Sequence, residues 1–214
     1  RDYYASRGLG DVYKRQMSDN GGYATGSGWR DEPLYTQNFP LKCGKGSAYE
    51  GGIREPMIVR WPGTVQPGTR CNDYLIIEDF YPSILEMAGI DDYDVPQEID
   101  GISFVPLLKQ TKNHSQGRSL YWNCPNIWGE KGPGIGPSCT IRKDNWKMIY
   151  FYETGEKELY DIPNDIEENN NVAALYPQII NKLSKELGKF LRQTNGQRPS
   201  FKKTGKPCPW PDEI

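Results

Sequence analysis

Apolar residues recur at three- and four-residue spacing at Ile179, Ile180, Leu183, Leu187, Phe190 and Leu191, the period of one helix face. Pro177 in front of them and Gly196 behind mark the start and stop of that helix. A second helix is predicted from Asp79 as N-cap through Phe80, Ile84, Leu85, Met87 and Ala88 to a stop at Gly89, with Pro82 tolerated in its first turn. Between these helices the apolar runs shorten. Residues 119–122, 139–142, 146–152 and 158–160 read as strands, with turns at Lys143-Asp144-Asn145 and Thr154-Gly155. Connections this tight join antiparallel neighbours, so the last helix is expected to cover one face of a small antiparallel sheet. Upstream, 57–61 is a strand candidate closed by Pro62-Gly63. The tail 198–214 carries Pro199, Pro207, Pro209 and Pro211. It is expected to be irregular and to wrap the surface.

The segment 91–100 reads as a connection, and the polar stretch 109–116 divides the chain into 17–116 and 117–214. Gly (23) and Pro (17) make up about a fifth of the 214 residues, below the roughly 25–30% that signals disorder. The chain therefore folds but is rich in loops. A net charge of −2 gives no basic footprint for a polyanion, so nucleic acid is not an expected partner. No apolar run approaches the roughly 20 residues of a membrane span. The five cysteines contain no Cys-x-x-Cys and are odd in number, which argues against a zinc site and against a full disulfide framework. The first residues, Arg1-Asp2-Tyr3-Tyr4-Ala5-Ser6-Arg7, lack the apolar region and cleavage site of a secretion signal.

Candidate chemistry starts at Ser18-Asp19-Asn20-Gly21-Gly22, where a carboxylate and an amide oxygen stand side by side. These are hard donors suited to calcium or magnesium, although two of them also make an ordinary Asx turn and fall short of the roughly 6–8 oxygens of a calcium shell. In Gly44-Lys45-Gly46-Ser47 the lysine has no neighbouring side chains, so an anion can approach its ammonium and the backbone together. Phe39 and Gly46 stand where a Walker loop needs Gly and Ser or Thr. A solvated loop lysine is the plainer reading. Glu50 and Arg54, across Gly51-Gly52, are placed to pair as scaffold. The aromatic run Tyr121-Trp122-Asn123-Cys124-Pro125-Asn126-Ile127-Trp128 is suited to stacking on a sugar or aryl ring, or to filling a core. His114, the sole histidine, lies in Asn113-His114-Ser115, a glycosylation pattern that reads as surface loop.

Taken together, Ser18-Asp19-Asn20-Gly21-Gly22, Gly44-Lys45-Gly46-Ser47-Ala48-Tyr49-Glu50-Gly51-Gly52-Ile53-Arg54-Glu55-Pro56 and Trp61-Pro62-Gly63, in this order, closely resemble the C-terminal signature of type I, formylglycine-dependent sulfatases. The resemblance runs from about Met17 to Pro199 and includes Asp100-Gly101-Ile102-Ser103, Ile141-Arg142-Lys143-Asp144-Asn145-Trp146-Lys147 and Glu158-Leu159-Tyr160-Asp161. It implies an α/β fold: the C-terminal portion of an alkaline-phosphatase-like sulfatase, being the end of its large mixed-sheet domain, followed by a small antiparallel sheet with one packed helix. It implies hydrolysis of a sulfate monoester on a small molecule or glycan. It also gives Asp19 and Asn20 the role of ligands to a Ca2+ ion, and Lys45 that of a catalytic residue contacting the sulfate. Many related sulfatases carry histidines where Asn123 and Asn126 stand, which makes Asn123 a substrate-binding candidate.

The family's nucleophile is a formylglycine formed in a Cys/Ser-x-Pro-x-Arg motif, and none of the five cysteines stands in that setting. The family's further aspartates, histidines and second lysine would precede Asp19, so the chain reads as a C-terminal fragment, inactive alone. The family places an apolar strand before the Ser-Asp-Asn turn, whereas Asp11-Val12-Tyr13-Lys14-Arg15-Gln16 cannot be buried without burying charge. Residues 1–16 accordingly read as a non-native leader outside the fold. A periplasmic or secreted compartment fits a parent of this family, with no signal for it in the sequence. Two rivals remain open at this stage: a phosphatase or phosphodiesterase of the same superfamily, and a non-catalytic carbohydrate-binding remnant.

Overall fold

The computed structural model describes residues 14–23, 38–90, 92–111, 117–127 and 132–214. Two compact units are present, and neither is continuous in sequence. One combines the N-terminal residues up to Met17 with Pro56–Arg118, the other Ser18–Glu55 with Ser119–Ile214. The change between the units falls between Arg118 and Ser119, while 18–55 clusters with the C-terminal sheet and not with the strand that follows it.

In the first unit β1 (Lys14–Met17) pairs antiparallel with β2 (Met57–Arg60), Gln16 opposite Ile58 and Met17 opposite Met57. This corrects the expectation that residues 1–16 stay outside the fold for 14–16; residues 1–13 lie outside the described residues. The electrostatic objection was to burial, and the strand escapes it by lying at the surface: Arg15, Gln16 and Met17 are all exposed. The Arg15 guanidinium sits 5.6 Å from the Phe80 ring centre.

The helix expected from Asp79 is α2 (Phe80–Met87), entered through a single 3-10 turn, Ile77–Asp79. Asp79 stands at the N-cap position, yet its side chain makes no cap bond. Its carboxylate instead accepts from the backbone N–H of Ile76 (3.0 Å) and Ile102 (2.9 Å), and from both terminal nitrogens of Arg118 at 2.7 Å. A helical turn that the sequence pattern did not suggest, α3 (Val105–Leu108), follows Phe104. Phe104 and Val105 are fully buried, and Phe104 packs edge-on against Phe80 at 5.2 Å.

Burial alone would raise the Asp79 carboxyl, but Arg118 and the two backbone donors outweigh it and hold it below the usual carboxylate range. A depressed folded value means that the stabilisation is complete above the ordinary Asp pKa of about 4 and is lost as pH falls through the folded value. Melting temperature is therefore expected to fall on acidification below about pH 4, and Asp79→Asn should flatten that acid limb. Parallel acid limbs for the two proteins would remove Asp79 from the account.

The second unit holds the four predicted strands in order: β3 (Ser119–Cys124), β4 (Ser138–Lys143), β5 (Trp146–Phe151) and β6 (Lys157–Asp161), all antiparallel. Asp144 at φ 52 and Gly155 at φ 74 take the left-handed positions of the connecting turns. Helix α4 (Pro177–Gln193) lays Ile180, Leu183, Leu187 and Leu191 against Cys139, Ile141, Met148 and Tyr150. It ends with Asn195, not Gly196, in the left-handed conformation.

The opposite sheet face is covered too. Ile149 and Tyr160 pack there with Ile162 and with Tyr49 from the 18–55 segment. Burial on both faces explains why β4 and β5 are each buried at four consecutive positions instead of alternating. The tail does more than wrap the surface. Cys208 and Trp210 are core residues, Pro209 C=O accepts from the Tyr150 hydroxyl at 2.9 Å, and Arg192 forks onto Asp212. No described helix is long and apolar enough to cross a membrane.

Candidate functional site

The residues singled out as Asp19, Asn20 and Lys45 are brought onto one loop system of the second unit. Gly44-Lys45-Gly46-Ser47 closes a tight turn, with Ser47 N–H donating to Gly44 C=O at 3.0 Å and Gly46 at φ +88 in its third position. That conformation favours Gly. Lys45 is thereby set at the turn apex, and its own N–H donates to Gly22 C=O at 3.0 Å. The segment carrying Asp19 and Asn20 is held a second time where Gly21 N–H donates to Gly52 C=O at 3.2 Å. Asp19 is exposed and Asn20 half-buried. The Ser18 hydroxyl donates to Asn20 C=O at 2.9 Å.

The glycines here permit backbones to touch. A Cβ on Gly21 would stand 2.0 Å from Gly51 O, on Gly51 2.4 Å from Lys42 O and Cys43 O, and on Gly52 2.1 Å from Ser47 O. Gly51-Gly52 belongs to a single helical turn, α1 (Glu50–Ile53). Asn38, to which the sequence reading gave no role, donates from its amide nitrogen to Gly22 C=O (3.0 Å), Cys43 C=O (2.9 Å) and Gly51 C=O (3.2 Å). It therefore ties together the three passes of chain that form the loop. Nothing in its neighbours, Phe39-Pro40, announces this; the signal exists only once the chain has folded back.

Glu50 and Arg54 pair as expected, at 3.4 Å, but Arg54 is largely exposed and the stronger partner lies across the sheet. Lys147 Nζ reaches Glu50 Oε1 at 3.0 Å and Glu168 Oε1 at 2.8 Å, and Arg142 reaches Glu50 Oε2 at 3.4 Å. Burial would raise the Glu50 carboxyl, yet Lys147, Arg142 and Arg54 hold it below its ordinary value, whereas for Glu168 burial prevails and the carboxyl is pushed up. The Cys43 thiol is pushed up by burial as well, the opposite of what an activated thiolate requires.

Asn123 is placed apart from this loop, on β3. Its amide oxygen accepts from the Tyr152 hydroxyl at 3.0 Å and its nitrogen donates to Gln197 C=O at 2.7 Å. Both ends are committed to the fold. Asn123→Ala would strip a buried tyrosine hydroxyl of its acceptor and is expected to cost about 1–3 kcal/mol in denaturant unfolding; an unchanged midpoint would show that Tyr152 needs no such partner. Of the neighbouring aromatics, Tyr121 is half-buried against the core, stacked on Phe190 at 3.8 Å. Trp128 and the Asn113-His114-Ser115 pattern lie outside the described residues. Among the described residues, no group of three His, Cys, Asp or Glu could hold a metal ion.

The family model for N-sulphoglucosamine sulphohydrolase, C-terminal, matches residues 43–194. A sulfatase of Formosa agariphila is 29% identical over 207 residues, covering 91% of this chain and 35% of that protein. Arylsulfatase K of Xenopus laevis is 30% identical over 149 residues, covering 67% of this chain and 27% of that protein. Among solved structures, Ps i-CgsB in complex with k-i-k-neocarrahexaose superposes with a TM-score of 0.72 at 26% identity, over 94% of this chain and 41% of that one. BT4656, in complex with its substrate D-glucosamine-2-N,6-O-disulfate, gives 0.60 at 25% identity, over 91% and 36%. The chain thus spans about a third of the length of these curated relatives. With the family model matching 152 of the 214 residues, the Lys45 turn among them, the chain belongs to the sulfatase family and matches the C-terminal part of its members.

Proposed function

We propose that the protein to which this chain contributes hydrolyses sulfate monoesters of sulfated sugars, with Lys45 binding the sulfate group. The observation that carries this reading is the pair of backbone bonds, Lys45 N–H to Gly22 C=O and Gly21 N–H to Gly52 C=O, which holds a cation-bearing turn beside an Asp-Asn pair. A lysine at the apex of a glycine-flanked turn offers a compact ammonium to sulfate oxygens with little steric hindrance. Its charge becomes more valuable as negative charge builds on those oxygens in the transition state.

Asp19 and Asn20 fit a calcium ion in kind, through one carboxylate and one amide oxygen, and would fill part of the roughly 6–8 places it offers. The remaining ligands and the formylglycine nucleophile would come from outside the described residues. When bound, the ion supplies positive charge that polarises the sulfate group. The preference for sulfated sugars is supported by two similar proteins, an ulvan-active sulfatase of Formosa agariphila and the complex with D-glucosamine-2-N,6-O-disulfate.

The isolated 214-residue chain is expected to bind calcium weakly and to turn over no chromogenic aryl sulfate, because it presents Asp19, Asn20 and Lys45 without the rest of the site. Calorimetric titration with calcium and an aryl sulfate assay test this. Turnover by the purified chain that disappears in Asn20→Ala would overturn the division of the site between this chain and the rest of the protein. For the whole enzyme, release of sulfate from sugar sulfates but not sugar phosphates is the deciding assay.

A further inference from the structure

Arg142 and Lys147 stand directly opposite each other on β4 and β5, an arrangement of like charges that weakens a sheet unless an anion intervenes. The anion is Glu50, which is not part of the sheet at all. It arrives from α1 and reaches both cations, while Lys147, fully buried, also binds Glu168. Glu168 returns to the same loop twice: its Oε2 accepts from Glu50 N–H at 2.6 Å, and its C=O accepts from Lys42 Nζ at 2.8 Å. Lys42 in turn lies 4.0 Å from the Tyr49 ring centre. The loop from Lys42 to Ile53 is therefore fastened to the sheet at Glu50 by ion pairs and to the Glu168 segment at Lys42 by a charge-assisted bond. Between those fastenings lies the Lys45 turn, and beyond Glu50 lies Gly52, which holds Gly21.

We infer that Lys147 is a positioning residue for the sulfate-binding loop, fixing Lys45 and the Asp19–Asn20 segment through Glu50 and Glu168. The functional half of this statement rests on the sulfatase reading above; the mechanical half does not. Lys147 touches no candidate site residue, so its effect must pass through the backbone from Glu50 to Gly52 and on to Gly21 and Gly22. A lysine suits this task because one compact buried cation stands between both carboxylates, hydrogen-bonded to Glu50 and ion-paired with Glu168.

The test is hydrogen exchange, read by peptide, on the 214-residue chain carrying Lys147→Met, Lys147→Arg or Glu50→Gln. In Lys147→Met, amides in 18–23 and 43–53 should exchange about tenfold faster or more, the scale on which a charge-assisted bond contributes to local protection. Peptides of β4, β5 and α4 should change far less. Lys147→Arg, which keeps a cation between the two carboxylates, should recover most of the protection. Glu50→Gln keeps side-chain shape and leaves Lys147 paired with Glu168, so it repeats the loop measurement if Lys147→Met does not fold. Faster exchange spread evenly over the sheet, or an unaltered loop in Glu50→Gln, would overturn the proposal by making the cluster ordinary core. The two readings fail separately. Protection of 18–23 by calcium in the parent chain, weakened in Lys147→Met, supports both; loop-selective exchange keeps the clamp whatever calcium does in this chain, where it binds weakly, and the sulfatase reading is decided by sulfate release from the whole enzyme.

Discussion

In an enzyme restored with an upstream half carrying the formylglycine motif, Lys45→Ala is expected to lower kcat by about 10²–10³, the scale on which one charge-stabilising donor acts. The loss should fall on kcat more than on KM, because the contact tightens as charge accumulates on the sulfate oxygens. Lys45→Arg should rescue poorly: a broad planar guanidinium does not replace a compact ammonium on a turn whose neighbours, Gly44 and Gly46, leave room for close approach. Steady-state kinetics of both variants on one aryl and one sugar sulfate provide the measurement. An unchanged kcat for Lys45→Ala would make it a loop residue and remove the principal site assignment.

Gly52→Ala in the same enzyme should also lower kcat, by about 10²-fold, although it removes no functional group. The new methyl would lie 2.1 Å from Ser47 O and 2.7 Å from Gly44 O, and both obstacles are backbone of the Lys45 turn itself. The turn has to move away from α1, and with it the Gly21 bond that holds the Asp19–Asn20 segment. Displacement of a positioned group by about 1 Å can cost 10²-fold in rate, and overpacking of this kind costs about 1–3 kcal/mol of stability. Gly46→Ala is the useful comparison, since its Cβ would meet only the Ile135 side chain at 3.9 Å and bears only the strain of φ +88. A kcat in Gly52→Ala no lower than in Gly46→Ala would show that the loop tolerates separation from α1.

Elements with a local cause were legible in the chain. The 3.6-residue spacing from Ile179 to Leu191 gave α4, because an amphipathic face is written in one contiguous segment. The four short strands with Asp144 and Gly155 at their turns were legible for the same reason, whereas the helix stop read at Gly196 falls one residue earlier, on Asn195. The likeness of 18–22 and 44–56 to the sulfatase signature likewise lies in contiguous residues, and it named Asp19, Asn20 and Lys45 as candidates. What the spacing of those residues left open was whether they meet.

The partners of charged and polar side chains were decided by the tertiary structure. Asp79 reads as a helix cap by its position, but a bidentate arginine 39 residues further on takes the carboxylate. Lys147 lies in an apolar strand pattern where a lysine looks exposed, and it is buried because Glu50 and Glu168 arrive from either side in sequence. Residues 14–16 were set aside for their charge, and they join a strand pair because that pair is solvated on the side they occupy. Asn123 reads as a substrate contact from the family likeness, and the folded chain adds Tyr152 and Gln197 as partners of its amide. The physical reason is common to all four. Backbone conformation and amphipathic faces are set by neighbours within a few residues, so a sequence determines them. The fate of a charge or an amide depends on desolvation and on which distant donor reaches it, and only the folded chain brings those groups together.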